Sequence, residues 1–271
     1  MTKGVVLITG ASSGMGKAAA EQLLKEGYTI YGAARRVENM KDLEEKGVNI
    51  LQMDVTDEAS IEGGIQQMIE EQGRIDVLFN NAGYGSYGAV EDVPMTEAKR
   101  QFEVNLFGLS RVTQLVLPYM RKQKSGKIIN NSSMGGKIYT PLGAWYHATK
   151  HALEGYSDCL RLELKPFGID VVIIEPGSIQ SEWTDIMLDH VEKTSGSTAY
   201  QPMAQSFIKM TRSMGGASSP DVIATQVVKA VKADKPKTRY VAGKYARPFM
   251  FLRKIVPDKM FDQLLLRMLR M

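Results

Sequence analysis

Short apolar runs alternate with longer amphipathic stretches along most of the chain. Val5-Val6-Leu7-Ile8 holds four consecutive apolar residues, three of them β-branched, and reads as a strand buried on both faces. Further strands are predicted at residues 29–33, 48–53, 75–80, 127–131, 170–174 and 238–241, with helical patterns between them, the last over 220–233. Strands alternating with helices predict a parallel sheet with helices on both faces. Right-handed crossovers then give a doubly wound α/β fold, with its ligand crevice at the C-terminal ends of the strands. Residues 1–271 are expected to form one domain.

The first predicted strand runs into Thr9-Gly10-Ala11-Ser12-Ser13-Gly14-Met15-Gly16. Residues 17–26 then have the Ala, Leu, Glu and Lys content of a helix, closed by Gly27. Strand, glycine-rich turn and helix N-terminus in that order build a phosphate site. The backbone approaches closely and the helix dipole faces the anion. The spacing is Gly-x-x-x-Gly-x-Gly, and a tight turn without a ligand is the alternative that this segment alone leaves open.

Tyr146 and Lys150 are four residues apart, and Ser133 lies thirteen residues before Tyr146. On a helix over 144–165 that spacing puts phenol and ammonium on one face. A phenol has a reference pKa of about 10, and bringing it near 7 requires about 4 kcal/mol of preference for the phenolate. One cation about 4 Å away supplies roughly that much at an effective dielectric of about 20. The pair therefore suits proton donation to a carbonyl, or proton removal from an alcohol. Ser133 suits hydrogen bonding to the oxygen on which charge develops.

Together these residues resemble the short-chain dehydrogenase/reductase family. The match runs through Thr9-Gly10-x-x-x-Gly14-x-Gly16, Asn80-Asn81-Ala82-Gly83, Asn105, Ser133, Tyr146 with Lys150, and Pro176-Gly177, in the family's order and spacing. The nearest branch holds hydroxysteroid and retinol dehydrogenases and acyl-dihydroxyacetone-phosphate reductases. The resemblance implies a Rossmann fold and hydride transfer between a nicotinamide and a carbonyl or secondary alcohol, with Ser133, Tyr146, Lys150 and Asn105 catalytic. Ser133 is preferred over Ser132 for its spacing to Tyr146. Asn105 resembles the helix Asn that joins Lys150, through water, to a proton relay. The cofactor is expected against Gly10, Ser12, Ser13, Gly14, Met15, Gly16, Asp54, Val55, Asn81, Ala82, Gly83, Tyr146, Lys150, Pro176, Gly177, Ile179 and Ser181. Asp54 resembles the family's adenine-contacting Asp, and a helix N-cap near Thr56 and Asp57 is its alternative. A catalytically silent dinucleotide-binding redox sensor is the alternative function; such relatives usually lack the Tyr-Lys-Ser set.

The second predicted strand ends in Ala33-Ala34-Arg35-Arg36, where NAD-binding relatives place an acid for the ribose 2′-hydroxyl. Arg35 and Arg36 suit a 2′-phosphate, so NADP(H) is expected over NAD(H). Ser13 departs from that pattern, since many NADP-binding relatives carry a basic residue there.

Composition changes the picture little. The hydrophobic fraction is 44% and the formal charge +4. The single cysteine, Cys159, excludes an intramolecular disulfide, fits a reducing compartment and is expected in the core. The N-terminal apolar run is too short for a signal peptide, and no run reaches the ~18 apolar residues that span a bilayer. A cytoplasmic protein is expected, with a small-molecule carbonyl or alcohol as substrate and no nucleic-acid partner. His147, His151 and His190 show no metal spacing, so no metal is expected.

Residues 182–215 read as an irregular substrate lid with Met187, Met203, Met210 and Met214, and Tyr84 and Tyr87 are placed at the mouth. The substrate is expected to be bulky or apolar. Helices around 106–120 and 144–165 are apolar over more than one narrow face, and in relatives they pair across a two-fold axis. The resemblance thus implies a homodimer or homotetramer. Residues 244–271 carry seven basic and two acidic side chains, a net +5 that leaves −1 for the rest of the chain. Pro257 divides this tail into two short amphipathic segments. Such a tail suits peripheral contact with an anionic membrane, or packing of its apolar face on the protein.

Overall fold

The computed structural model describes residues 3–270. Seven strands, β1 (Val5–Thr9), β2 (Thr29–Ala34), β3 (Asn49–Gln52), β4 (Val77–Asn80), β5 (Gly126–Asn131), β6 (Ile169–Pro176) and β7 (Arg239–Ala242), form one sheet. All neighbouring pairs are parallel, in the order β3-β2-β1-β4-β5-β6-β7. Val6 of β1 faces Ile30 on one side and Val77 on the other. The strand order reverses there, and a crevice opens at the C-terminal ends.

The alternation of side chains along β1 assigns the two layers. Val6 and Ile8 join α1 (Gly14–Lys25) and α9 (Asp221–Lys232) in one core, with Ala19, Ala20, Leu23, Ile223 and Val227. Val5 and Leu7 point the other way, to α3 (Glu58–Gln72), α5 (Leu109–Gln123) and α6 (Ala144–Leu164), with Ile61, Met68, Val112, Val116 and Leu160. A strand buried on both faces has no polar alternation, which is why β1 reads as a continuous apolar run. The remaining helices on the edges are α2 (Lys41–Glu45) and α4 (Met95–Phe102), the latter running into a π-helical turn at Glu103–Gly108.

Two expectations change. Residues 182–215 are not irregular: they form α7 (Glu182–Ser195) and α8 (Gln201–Ser213). Met187, Leu188 and Val191 recur at helical spacing and are buried, Glu182 and Asp185 favour the N-terminus of α7, and the Ser/Thr/Gly content is concentrated in the turn between the helices. Cys159 is exposed rather than in the core. The buried face of α6 runs through Tyr146, Lys150, Leu153, Ser157, Leu160 and Leu164, and position 159 lies off it. The tail divides its apolar residues between protein and solvent. α10 (Ala246–Ile255) and α11 (Asp258–Met268) flank Pro257, and Phe261 and Leu265 pack on Ile138. Phe251, Ile255 and Met260 remain exposed. No helix among the described residues is long and apolar enough to cross a membrane.

Candidate active site

The crevice is a single cavity of about 560 Å³. Its walls include Gly10, Ser12, Ser13, Gly14, Met15, Arg35, Arg36, Asp54, Val55, Asn81, Ala82, Gly83, Ser133, Tyr146, Lys150, Pro176, Gly177, Ile179 and Ser181. Two expected residues stand behind the wall instead, Gly16 and Asn105.

The glycine turn is shaped by contact. Gly10 and Gly14 have φ of +67° and +54°, a region that side chains with a Cβ rarely occupy. A methyl group at Gly16 would collide with Asn81 Nδ2 and the Gly10 carbonyl, so Gly16 lets the start of α1 approach the glycine turn and the segment after β4. Ser13 is the N-cap of α1 in extended conformation, and its side chain makes no capping bond. The turn and the first turn of α1 therefore leave a concave backbone surface at a positive helix end, which fits a phosphate.

Asn81 joins this turn to the end of the cavity that holds Lys150. Its Nδ2 donates to the carbonyls of Thr9 and Gly10 at 3.1 and 3.0 Å, and its Oδ1 accepts from Asn131 Nδ2 at 2.9 Å. The Asn131 carbonyl in turn accepts from Lys150 Nζ at 2.8 Å. Asn80 is structural: its Nδ2 binds Thr113 Oγ1 and Asn130 Oδ1, each at 3.0 Å. Asp54 Oδ1 accepts from the Thr56 amide and hydroxyl at 2.9 and 2.8 Å, while Asp57 caps α3. Arg35 and Arg36 extend from the end of β2, and neither makes an ion pair among the described residues.

Ser133 and Tyr146 line the same cavity, and Ser133 Oγ accepts from the Gly135 amide at 3.0 Å. Ser132 also lines the cavity but is buried, with Glu154 and the Lys150 backbone as neighbours around Gly136. Burial pushes the Tyr146 phenol up to about 12, and only the Ser133 hydroxyl works against it. Lys150 does not bring it near neutrality. The ammonium lies 6.0 Å from the Tyr146 ring centroid, tied to Asn131, and burial pushes it down to about 8, opposed by Glu154. Desolvation of both groups outweighs their attraction.

Asn105 sits in the π-helical turn, fully buried. Its Oδ1 accepts from the Tyr84 amide at 3.0 Å, and its Nδ2 donates to the Tyr84 carbonyl at 2.8 Å and to Thr149 Oγ1 at 3.2 Å. The side chain clamps the segment after β4, and both Asn105 Oδ1 and Lys150 Nζ lie against Gly83. His147 is structural too. Burial holds it down to about 4, its Nδ1 bonds the Gly135 carbonyl at 2.9 Å and its Nε2 accepts from the Thr140 amide at 3.1 Å. No group of metal-ligating residues occurs among the described residues.

Beyond Tyr146 the cavity turns apolar. The rings of Trp183 and Tyr87 stand 5.2 and 5.6 Å from that of Tyr146, and Phe207 lies 5.9 Å from Tyr87. Met187, Met210 and Met214 come from α7, α8 and its end, and Phe249, Leu265, Met268 and Leu269 from the C-terminal tail. Tyr84 lines the mouth with its hydroxyl on Glu97 at 3.0 Å. Sequence reasoning missed Trp183, the tail residues and a buried acid pair, Glu154 and Glu175, bridged by Arg239 at 2.9 and 3.5 Å. A lone Glu in the apolar run before Pro176 was the available signal for the last.

The sequence model of the short chain dehydrogenase family matches residues 4–191, and the chain belongs to that family. It is 36% identical over 261 residues to a probable short-chain type dehydrogenase/reductase, VdlC, of Helicobacter pylori, covering 96% of each. It is 45% identical over 182 residues to 3-ketodihydrosphingosine reductase of Bacteroides thetaiotaomicron, covering 67% of this chain and 66% of the other. The crystal structure of a short-chain dehydrogenase from Streptomyces avermitilis matches with a TM-score of 0.81 at 33% identity, over 96% of this chain and 95% of that one. A metagenomic short-chain oxidoreductase in complex with NADP matches at 0.71 and 27%, over 89% and 97%. The protein is thus an oxidoreductase acting on CH–OH groups with a nicotinamide dinucleotide.

Proposed function

We propose that the protein uses NADP(H) to reduce the carbonyl of a bulky, apolar substrate, or to oxidise the corresponding secondary alcohol. The observation that carries this reading is the position of the Ser133 and Tyr146 pair on the cavity wall. It lies where the polar cradle of Gly10 to Gly14 meets the apolar chamber of Tyr87, Trp183 and Phe207.

When bound, the cofactor supplies or accepts the hydride. The residues supply everything else. Ser133 and Tyr146 converge on one carbonyl oxygen. With its phenol up at about 12, Tyr146 is fully protonated at neutral pH and ready to donate as negative charge grows on that oxygen. Lys150, mostly charged at neutral pH with its ammonium near 8, stabilises the phenolate left behind. The aromatic and methionine walls exclude water and accept apolar bulk. Arg35 and Arg36 support NADP(H), since two guanidinium groups at the end of β2, without an ion-pair partner among the described residues, suit a 2′-phosphate. The relative that is 45% identical over 182 residues, by name a 3-ketodihydrosphingosine reductase, supports the substrate class.

The assembly is a homodimer or homotetramer. Supporting it are Leu162 on α6 and Phe107 before α5, apolar and 68% and 53% exposed.

Purified protein with NADPH and a panel of carbonyls of graded apolar size tests the reading, by loss of NADPH absorbance. The expected result is turnover with kcat/KM rising with apolar size. Tight NADPH binding without turnover of any member would replace the enzyme with a dinucleotide sensor.

A further inference from the structure

The two C-terminal helices have work on both sides. Their inner face closes the substrate chamber: Phe249, Leu265 and Met268 line it, and Phe261 is fully buried beneath. Their outer face is not polar. Phe251 and Ile255 lie one turn apart on α10 at 65% and 58% exposure, and Met260 on α11 is 61% exposed. Arg247 and Lys254 share the α10 face with them, and both are exposed. Bare aromatic and aliphatic side chains interleaved with cations are the pattern of a helix that lies in a lipid headgroup region.

The charge is available. Arg253 is occupied, bonded to Asp258 at 2.6 Å and stacked over Tyr139 and Phe261 at 5.2 and 5.5 Å. Among the described residues, Arg247, Lys254, Lys259, Arg267 and Arg270 have no ion-pair partner. Residues 244–271 carry a net +5 against −1 for the rest of the chain. That charge argues against a second copy as the occupant, because a two-fold contact would set one basic face on another. An anionic bilayer meets both the charge and the exposed apolar groups.

We propose that α10 and α11 dock this protein on an anionic lipid surface, with the wall of the substrate chamber on the opposite side of the same helices. An amphiphilic substrate would then be drawn from lipid; this part rests on the apolar-carbonyl reading above, whereas the docking itself does not.

Co-sedimentation of the full chain with vesicles tests it, using phosphatidylcholine alone or mixed with phosphatidylglycerol. The expected result is binding to the mixed vesicles at low salt, weakened by salt and weaker still to phosphatidylcholine alone. K254Q with K259Q lowers affinity roughly thirtyfold, from about 1 kcal/mol per basic residue near the surface. F251S with I255S lowers it at least about tenfold, while NADPH binding stays unchanged because neither residue lines the cavity. Absence of binding at low salt, equal binding to both vesicle types, or binding unchanged by both variants would overturn the proposal. So would a fall in sedimentation mass of F251S/I255S without lipid, which would make this face a subunit contact. None of these measurements needs turnover, so their failure leaves the proposed reaction standing.

Discussion

Glu154 lies one helical turn beyond Lys150 on the buried face of α6, and its carboxylate is the charge that opposes the effect of burial on the Lys150 ammonium. The same carboxylate is held by Arg239 at 2.9 Å and Lys137 at 2.8 Å, with Glu175 also against Arg239 and Asp158 receiving it at 2.8 Å. Lys150 is therefore tuned from behind, by a side chain outside the cavity.

Glu154→Gln removes that opposing charge, so the ammonium falls further below about 8. Reduction needs the charged form, and the alkaline limb of its kcat/KM profile moves to lower pH. Glu154→Asp moves it back. Arg239 keeps Asp158 and Glu175 as partners in either variant. A pH profile with an unmoved alkaline limb would assign Glu154 a purely structural role.

Glu175 is buried, and burial together with Glu154 holds its carboxyl up at about 7, above the ordinary 4.5. Between those values the folded protein binds a proton that the unfolded chain has released. The stability associated with this group is full below pH 4.5 and lost as pH rises through 7. Glu175→Gln removes the ionisation and is expected to raise stability at pH 8 by on the order of 1–3 kcal/mol, with little effect at acidic pH. Thermal melts of both proteins across the range check the sign.

Tyr146→Phe keeps the ring against Tyr87 and Trp183 and loses only the hydroxyl. NADPH affinity and melting temperature should hold, while turnover falls about 10²–10⁴-fold. A variant with near wild-type turnover would show that another group moves the proton.

Replacing Arg35 and Arg36 by Ala should weaken NADPH binding roughly 10–100-fold and leave NADH binding nearly unchanged. Fluorescence titration of both cofactors measures this. Equal affinities in the unmodified protein would remove the basis for NADP(H) preference.

Leu162→Glu places a charge on the exposed apolar side of α6. The unmodified protein should sediment as a multiple of 30.0 kDa and the variant at a lower mass. A monomeric unmodified protein would leave Leu162 and Phe107 without the partner argued for them.

Local spacing made much of this legible before any coordinates. The β1–turn–α1 unit lies within one short segment, and Tyr146 and Lys150 share a helix face whatever else the fold does. Effects set by the third dimension were not legible. The Tyr146 phenol sits high because three rings and a buried helix face remove its water, which outweighs a cation four residues away. Trp183 reaches Tyr146 from the helix after β6, and Arg239 reaches Glu154 from β7. Neither contact has a sequence period. Cys159 is a different kind of miss: the 3.6-residue period of α6 already placed it off the buried face.

The hydrogen bonds of Asn81 set how the protein can be divided for redesign. The loop after β2 begins with Arg35 and Arg36, and among the described residues neither is ion-paired, so that loop can be exchanged as a module to alter cofactor choice. The segment after β4 cannot. Asn81 holds Gly10 on one side and, through Asn131, Lys150 on the other. A graft that shifts its backbone would change cofactor seating and proton transfer together, and selection acting on one would constrain the other.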